Sequence, residues 1–418
     1  MNTTTSQNIT RQLIVKCNTQ EDFEKCQNDY LKNFSIVGCC NCGCLILLEC
    51  PVGKDFEEFK LEINTGTVGT QKKVEVDGNE IIKIIDKNEG NTESWSMVEK
   101  FPADTYDNEV IIYFIDTGMD KEYWDKSQFK YEGMKLPEGV DEESYGYNFI
   151  DPSKITGDFG DDNGHGTFGV RHVTEHLPES AKIKIKIVPL KAFDEQGETT
   201  LFSFISALHY AIENGANIIN ISAGYSGKSN KILEDVIKQC NEKGIFIVTA
   251  AGNGEKNLDT EEKQYPAFYG SGKILNKKTS ESNTAQQKNQ LVSTEIISDN
   301  VISVAALDHK NILLSDSNYG KESVTMAAYG KNINGYDHKG EVVYSGTSVA
   351  AFAVTKALAI KMAKKSERDY KEVWEYFKAS SLVDFIGGAE QTITGKRLNV
   401  KLKKYIKVEV SQEAPIVA

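Results

Sequence analysis

The feature that most restricts how this chain can fold is a set of apolar runs too continuous to be half-exposed strands. Val110–Ile115, Ala216–Ser222 and Gly244–Ala250 are apolar almost throughout, the pattern of a parallel strand with both faces covered by helices. Ile183–Lys191 and Val301–Ala306 read as further strands. Between the runs the period lengthens. Leu201, Phe204, Ile205, Leu208 and Ile212 share one helical face, and Ile232, Val236 and Ile237 share another. Strands that alternate with helices predict an α/β fold with a doubly wound, mostly parallel sheet, whose functional groups gather at the carboxyl ends of the strands. Asp116, Ser222 and Asn253 all fall at such ends.

The first part of the chain has a different rhythm. Gln12–Val15 reads as a strand, and Asp22–Phe34 as an amphipathic helix with Phe23, Cys26 and Tyr30 on one side. Ile36–Cys50 reads as a two-stranded hairpin, Asp55–Ile63 as a second helix and Val74–Asp77 as a last strand. This β-α-β-β-α-β order predicts a small ferredoxin-like α+β unit. The polar stretch Asp86–Glu93 has the composition of an exposed linker, so two domains are expected, 1–88 and 89–418. Ser271–Asn300 is polar and weakly periodic, which predicts a surface insertion well beyond ordinary loop length.

Charge and cysteine usage narrow the classes of function. A net charge of −13 over 418 residues repels phosphates, which argues against nucleic acid and anionic membranes as partners. The Lys361–Lys365 run reads as a solvated helix face. Apolar stretches such as Leu45–Leu48 fall far short of the ~20 residues needed to span a bilayer, so no membrane span is expected. Met1–Gln20 lacks the basic start, apolar run and small-residue site of a secretory signal. As written, the chain is expected in the cytoplasm, and an incomplete N-terminus would make it secreted or vacuolar. Of 8 cysteines only Cys240 follows Asp116, so the larger part has no internal disulfide available, which suits a reducing compartment.

Four tetrapeptides carry the chemistry: Ile-Asp-Thr-Gly around Asp116, Gly-His-Gly-Thr around His165, Ala-Ala-Gly-Asn ending at Asn253, and Ser-Gly-Thr-Ser ending at Ser348. A serine hydroxyl is a poor nucleophile until a base within hydrogen-bond reach takes its proton. His165, flanked by two glycines, is the candidate base, and Asp116 would hold its tautomer and stabilise the imidazolium. Ser348 precedes the apolar helical run Val349–Met362. As that helix's cap it would lie at the positive end of the dipole, where an oxyanion develops. The Asn253 side-chain amide would supply a second oxyanion hydrogen bond. Each tetrapeptide alone has a bland reading as a turn or a cap; the ordered set does not.

Asp, then His, then Ser is the chain order of the subtilisin triad, and from Trp95 to Val400 the sequence resembles a subtilisin-like serine peptidase of the proteinase K type. That resemblance implies an endopeptidase acting through an acyl-enzyme on protein or peptide substrates, best at neutral to alkaline pH and monomeric. It implies that Leu190–Leu201, including Gly197, lines the substrate cleft, and that Ser222, Ala223 and Gly224 form one wall of the main specificity pocket. It implies that the N-terminal unit, ending in Val-Glu-Val-Asp, is an inhibitory prodomain removed by self-cleavage between Asp86 and Trp95. No cofactor is implied as a requirement. Calcium often braces relatives, but no ligand set is readable here. Two positions depart from the family pattern: Phe168 follows Thr167 where histidine is usual, and Phe352 lies in a segment that usually carries proline and histidine.

Three competing patterns remain in the sequence. His172-Val-Thr-Glu175-His176 matches the H-x-x-E-H pattern of zinc peptidases, though no further ligand is evident. Asp116-Thr-Gly alone would suit an aspartic peptidase, which needs a second copy for its paired carboxylates; the sequence has none. Cys39, Cys40, Cys42 and Cys44 are too closely spaced for the usual zinc pairs and read as residues of a hairpin. The departures at Phe168 and Phe352 also admit a non-enzymatic alternative, a silent subtilisin fold that binds or regulates.

Overall fold

Burial on both faces is what the strand Glu109–Asp116 shows, with every residue after Glu109 buried. It lies inside a nine-stranded sheet in the order Leu382–Asp384, Lys396–Leu398, Met326–Tyr329, Val301–Leu307, Phe246–Ala250, Ile218–Ile221, Glu109–Asp116, Lys184–Lys191 and Tyr147–Asn148. All neighbours pair in parallel except the first two strands. The structure is a computed structural model and describes residues 11–41, 43–65, 74–84, 87–88, 94–98, 106, 108–137, 140, 144–175, 177, 184–271, 273–276, 292–296, 299–364, 370–384 and 388–404. After Lys184–Lys191 forms on one side of Glu109–Asp116, the chain crosses to the other side and builds outward from Ile218–Ile221. The direction of winding thus reverses beside Asp116, and such a switch point leaves a crevice at the strand ends.

The helix Thr347–Lys364 is buried on nearly all sides, as expected of one at the centre of a large core. It packs on several sheet strands and on the helix His165–Thr174. Ser348 occupies the second position of this helix and so belongs to its first turn instead of capping it. The attraction of the dipole for an anion is unchanged, because the effect extends over the first turn.

The N-terminal unit has the expected ferredoxin-like order. Its antiparallel sheet runs Ser35–Cys40, Leu45–Glu49, Gln12–Cys17, Val74–Gly78. Leu13, Val15, Ile46 and Leu48 meet Phe23, Phe59 and Ile63 in a small core of their own. The alternate residues Ile14, Leu45 and Leu47 are buried in the main core instead, because that face lies against the helices Leu201–Glu213 and Lys231–Glu242. The first helix is shorter than its periodicity predicts: Gln20–Lys25 gives way to a π-helical turn, Cys26–Tyr30.

Three further expectations meet the structure differently. Within the presumed linker, Lys87–Asn88 pairs with Tyr344–Ser345, so this part is not a free tether; residues 86 and 89–93 lie outside the described residues. Within the presumed insertion, Lys273–Asn276 and Val292–Ile296 pair as an antiparallel ribbon, and most of the remainder lies outside the described residues. Finally, Ile81–Ile84, to which the periodicity assigned nothing, is a strand held between Glu198–Thr200 and Ala223–Gly227.

Candidate active site

Asp116 ends its strand, and His165 begins a helix some way along the chain. The fold joins them: His165 Nδ1 lies 2.8 Å from Asp116 Oδ1 and 3.0 Å from Oδ2, with both side chains buried. The Thr117 N–H donates to Asp116 Oδ1 at 2.7 Å, which fixes the carboxylate plane. The Thr117 hydroxyl accepts from the Gly166 N–H at 2.9 Å, tying the strand end to the helix start. Gly166 is required at that junction, since a Cβ there would lie 2.3 Å from the Gly118 carbonyl oxygen.

Asp161 organises the same junction. Its carboxylate accepts from the N–H groups of Asn163, Gly164 and Thr167 at 3.1, 2.8 and 2.8 Å, and from the Thr167 hydroxyl at 2.6 Å. Burial alone would raise the Asp161 carboxyl, but these hydrogen bonds outweigh it and hold it below the usual carboxylate range. Lys191, nearly buried, donates to the Thr117 carbonyl at 2.7 Å and to Asp162 at 2.6 Å. Neither Asp161 nor Lys191 was singled out by sequence. The run Asp161-Asp162-Asn163 carried the signal, as a polar cluster directly before a Gly-His-Gly helix start.

Ser348 lies one helical turn before Phe352, on the same face, and the Phe352 ring is 5.4 Å from the His165 ring. In this structure the Ser348 hydroxyl donates to the Ser222 carbonyl at 3.2 Å. The Ser222 side chain donates to Asn220 Oδ1 at 3.3 Å, and Asn220 Nδ2 donates to Thr355 of the Ser348 helix at 2.8 Å. The Asn253 side-chain oxygen accepts from the Thr347 N–H at 2.9 Å, which fixes the amide beside Ser348 and determines which end can donate. Thr347 Oγ1 in turn accepts from the Gly252 N–H at 3.0 Å.

The two departures from the family pattern prove to be neighbours. Phe168 and Phe352 lie 6.3 Å apart, and Tyr344 lies 4.6 Å from Phe168 and 6.4 Å from His165. Space for the rings comes from missing side chains: a Cβ on Gly169 would meet the Phe352 ring at 2.5 Å, and one on Gly335 the Phe168 ring at 2.5 Å. Together they wall the imidazole with apolar surface.

Gly197, Ala223 and Gly224 flank one strand. Ala223 and Gly224 register with Ile84 and Lys83, and the Gly197 carbonyl accepts from the Ile84 N–H at 2.8 Å. These residues, expected from the resemblance to line a substrate cleft, therefore contact the chain's own segment Ile81–Ile84. His172 and Glu175 of the zinc-like pattern line a separate cavity of about 360 Å³ with Arg171 and Lys356; His176 lies outside the described residues. No group of three His, Cys, Asp or Glu among the described residues is placed to hold a metal ion. Cys39 and Cys40 lie on the strand Ser35–Cys40, and Cys42 lies outside the described residues.

A hydroxyl at a helix N-terminus, an imidazole held by a buried carboxylate, and an amide beside the hydroxyl are the groups that acyl transfer uses. Residues 107–378 match the Subtilase family. The chain is 30% identical over 211 residues to the minor extracellular protease Epr of Bacillus subtilis, covering 49% of this chain and 27% of that protein. It is 28% identical over 228 residues to the major intracellular serine protease of the same organism, covering 51% and 60%. The matched stretch thus spans less than two thirds of either relative. In fold it is similar to the epidermin leader peptide processing serine protease EpiP of Staphylococcus aureus, with a TM-score of 0.63 at 15% identity over 93% of this chain and 96% of that one. With more than half of its residues inside the family match, the chain belongs to the subtilase family.

Proposed function

We propose that this chain is a serine endopeptidase made as a precursor that cuts itself and stays inhibited by its own N-terminal unit. Ser348 attacks the peptide carbonyl, His165 takes its proton and returns it to the leaving amine, and Asp116 orients and stabilises the imidazolium. The oxyanion is held by the Asn253 amide and the N-terminal turn of the Ser348 helix. Water then hydrolyses the acyl-enzyme with His165 as base. Since the imidazole must be unprotonated to act, activity is expected at neutral to alkaline pH and is lost in acid.

The course of the chain past Ser348 carries this reading. Ile81–Ile84 lies antiparallel on Ala223–Gly224, immediately after Ser222, and Lys87–Asn88 lies antiparallel on Tyr344–Ser345, immediately before the Ser348 helix. An extended segment that completes two sheet edges is how a peptide is bound by strand addition. The bond to be cut falls between Ile84 and Lys87, near the upstream limit of the Asp86–Trp95 window expected from sequence. After the cut, the N-terminal unit is retained by the face that buries Ile14, Leu45 and Leu47, which is what an inhibitor requires.

Intact mass tests the whole scheme. The wild type should resolve into two pieces parted between Ile84 and Lys87, while a folded Ser348→Ala chain stays whole. Two folded, uncut chains that also fail to react with a serine-directed probe would overturn it in favour of a silent fold.

A further inference from the structure

The strand in the cleft presents alternate side chains to opposite sides, as any strand does. Ile82 is fully buried within the main core. Ile84 packs over Gly197, where an added Cβ would stand 3.3 Å from its own Cβ and 3.8 Å from Asn163 Nδ2. Lys83, between them, faces the other way and is exposed, and its ammonium pairs with the Glu198 carboxylate. The two residues are direct partners in the antiparallel register Glu198↔Lys83, so their side chains start close together on the same face. Their backbones are set by the ladder and not by the ion pair, so any peptide bound in this register would bring its corresponding residue beside Glu198.

We propose that Glu198 is a specificity-determining residue of the cleft, selecting peptide substrates with a basic side chain at the position held by Lys83, between two apolar residues. This rests on the peptidase reading above. Exposed ion pairs are weak, so the selection is modest and operates through charge. Replacing the basic residue with an acidic one exchanges attraction for repulsion and gives a preference of about fivefold, which salt diminishes by screening.

The test is a competition in one tube between two fluorogenic peptides spanning Glu80–Glu89, one with Lys at the position of Lys83 and one with Glu. The ratio of their kcat/KM values does not depend on how much enzyme has shed its N-terminal unit. The self-processed wild type should favour the Lys peptide, with the ratio shrinking as salt is added. Glu198→Gln should bring the ratio towards one, and Glu198→Lys should invert it. A wild-type ratio near one, or one that Glu198→Lys leaves unchanged, overturns the assignment of Glu198 while the peptidase reading stands. If wild type shown to have shed its N-terminal unit and to remain folded cuts neither peptide, both readings fall together.

Discussion

At the scale of single residues, the site separates groups to which the proposed mechanism gives chemistry from groups that hold them. Asn253 is tied to Thr347 through its oxygen, so its removal should affect the transition state far more than the fold. For Asn253→Ala, turnover is expected to fall on the order of 100- to 1000-fold, with the melting temperature nearly unchanged; equal losses in both would contradict an oxyanion role. Phe352 shows the reverse balance. It is fully buried against Phe114, Phe168 and His165, so Phe352→Ala should cost about 3–5 kcal/mol in denaturant unfolding. The letters of the four tetrapeptides were sufficient to nominate Asp116, His165, Asn253 and Ser348. They could not nominate Asp161, since an acidic residue before a helix is an ordinary N-terminal signal and only its four hydrogen bonds distinguish it.

Among the elements, those legible in the sequence are those whose burial is decided locally. Glu109–Asp116 and Phe246–Ala250 are continuous apolar runs because both faces are covered, and Leu201–Glu213 keeps its apolar spacing because it packs on the sheet. Ile81–Ile84 was illegible because four residues give no usable period, and its partners lie more than a hundred positions further on. The unbroken run Leu45–Leu48 did contain a hint. A ferredoxin-like sheet has helices on one face only, so apolar residues on both faces mean that something else covers the second. That second contact is close: a Cβ on Gly43 would stand 2.5 Å from the His209 ring in Leu201–Glu213. Gly43→Ala should push the hairpin away from the helix and loosen the N-terminal unit, the inhibitor of the scheme proposed above. Peptidase activity of the self-processed protein should then rise above wild type, and unchanged activity would show that this contact does not hold the unit in place.

For the molecule as a whole, the two units bury titratable groups between them. His209 is buried beside Gly43, and its Nε2 has no hydrogen-bond partner among the described residues. Burial, aided by Lys16, pushes its imidazole down from 6.5 to about 3, so the docked state requires the neutral ring. That contribution is intact above 6.5 and is lost as pH falls from there towards 3. Glu75 acts in the opposite direction: burial and a hydrogen bond with Asp235 raise it from 4.5 to about 7, so its contribution is lost as pH rises between those values. Because Glu75 is half-exposed, water screens it more, and His209 should dominate. Thermal unfolding of the uncut Ser348→Ala chain should show stability declining from pH 6.5 downward, with a shallower decline when His209→Leu is added. Parallel curves would assign the acid sensitivity elsewhere. The strand Ile81–Ile84 has a consequence in time as well as in space. Because it pairs with Ala223–Gly224 of the same chain, the self-cleavage proposed above would be a unimolecular event, whose half-time should be the same at every protein concentration. Each molecule would thus keep its own clock, started by folding and indifferent to its neighbours.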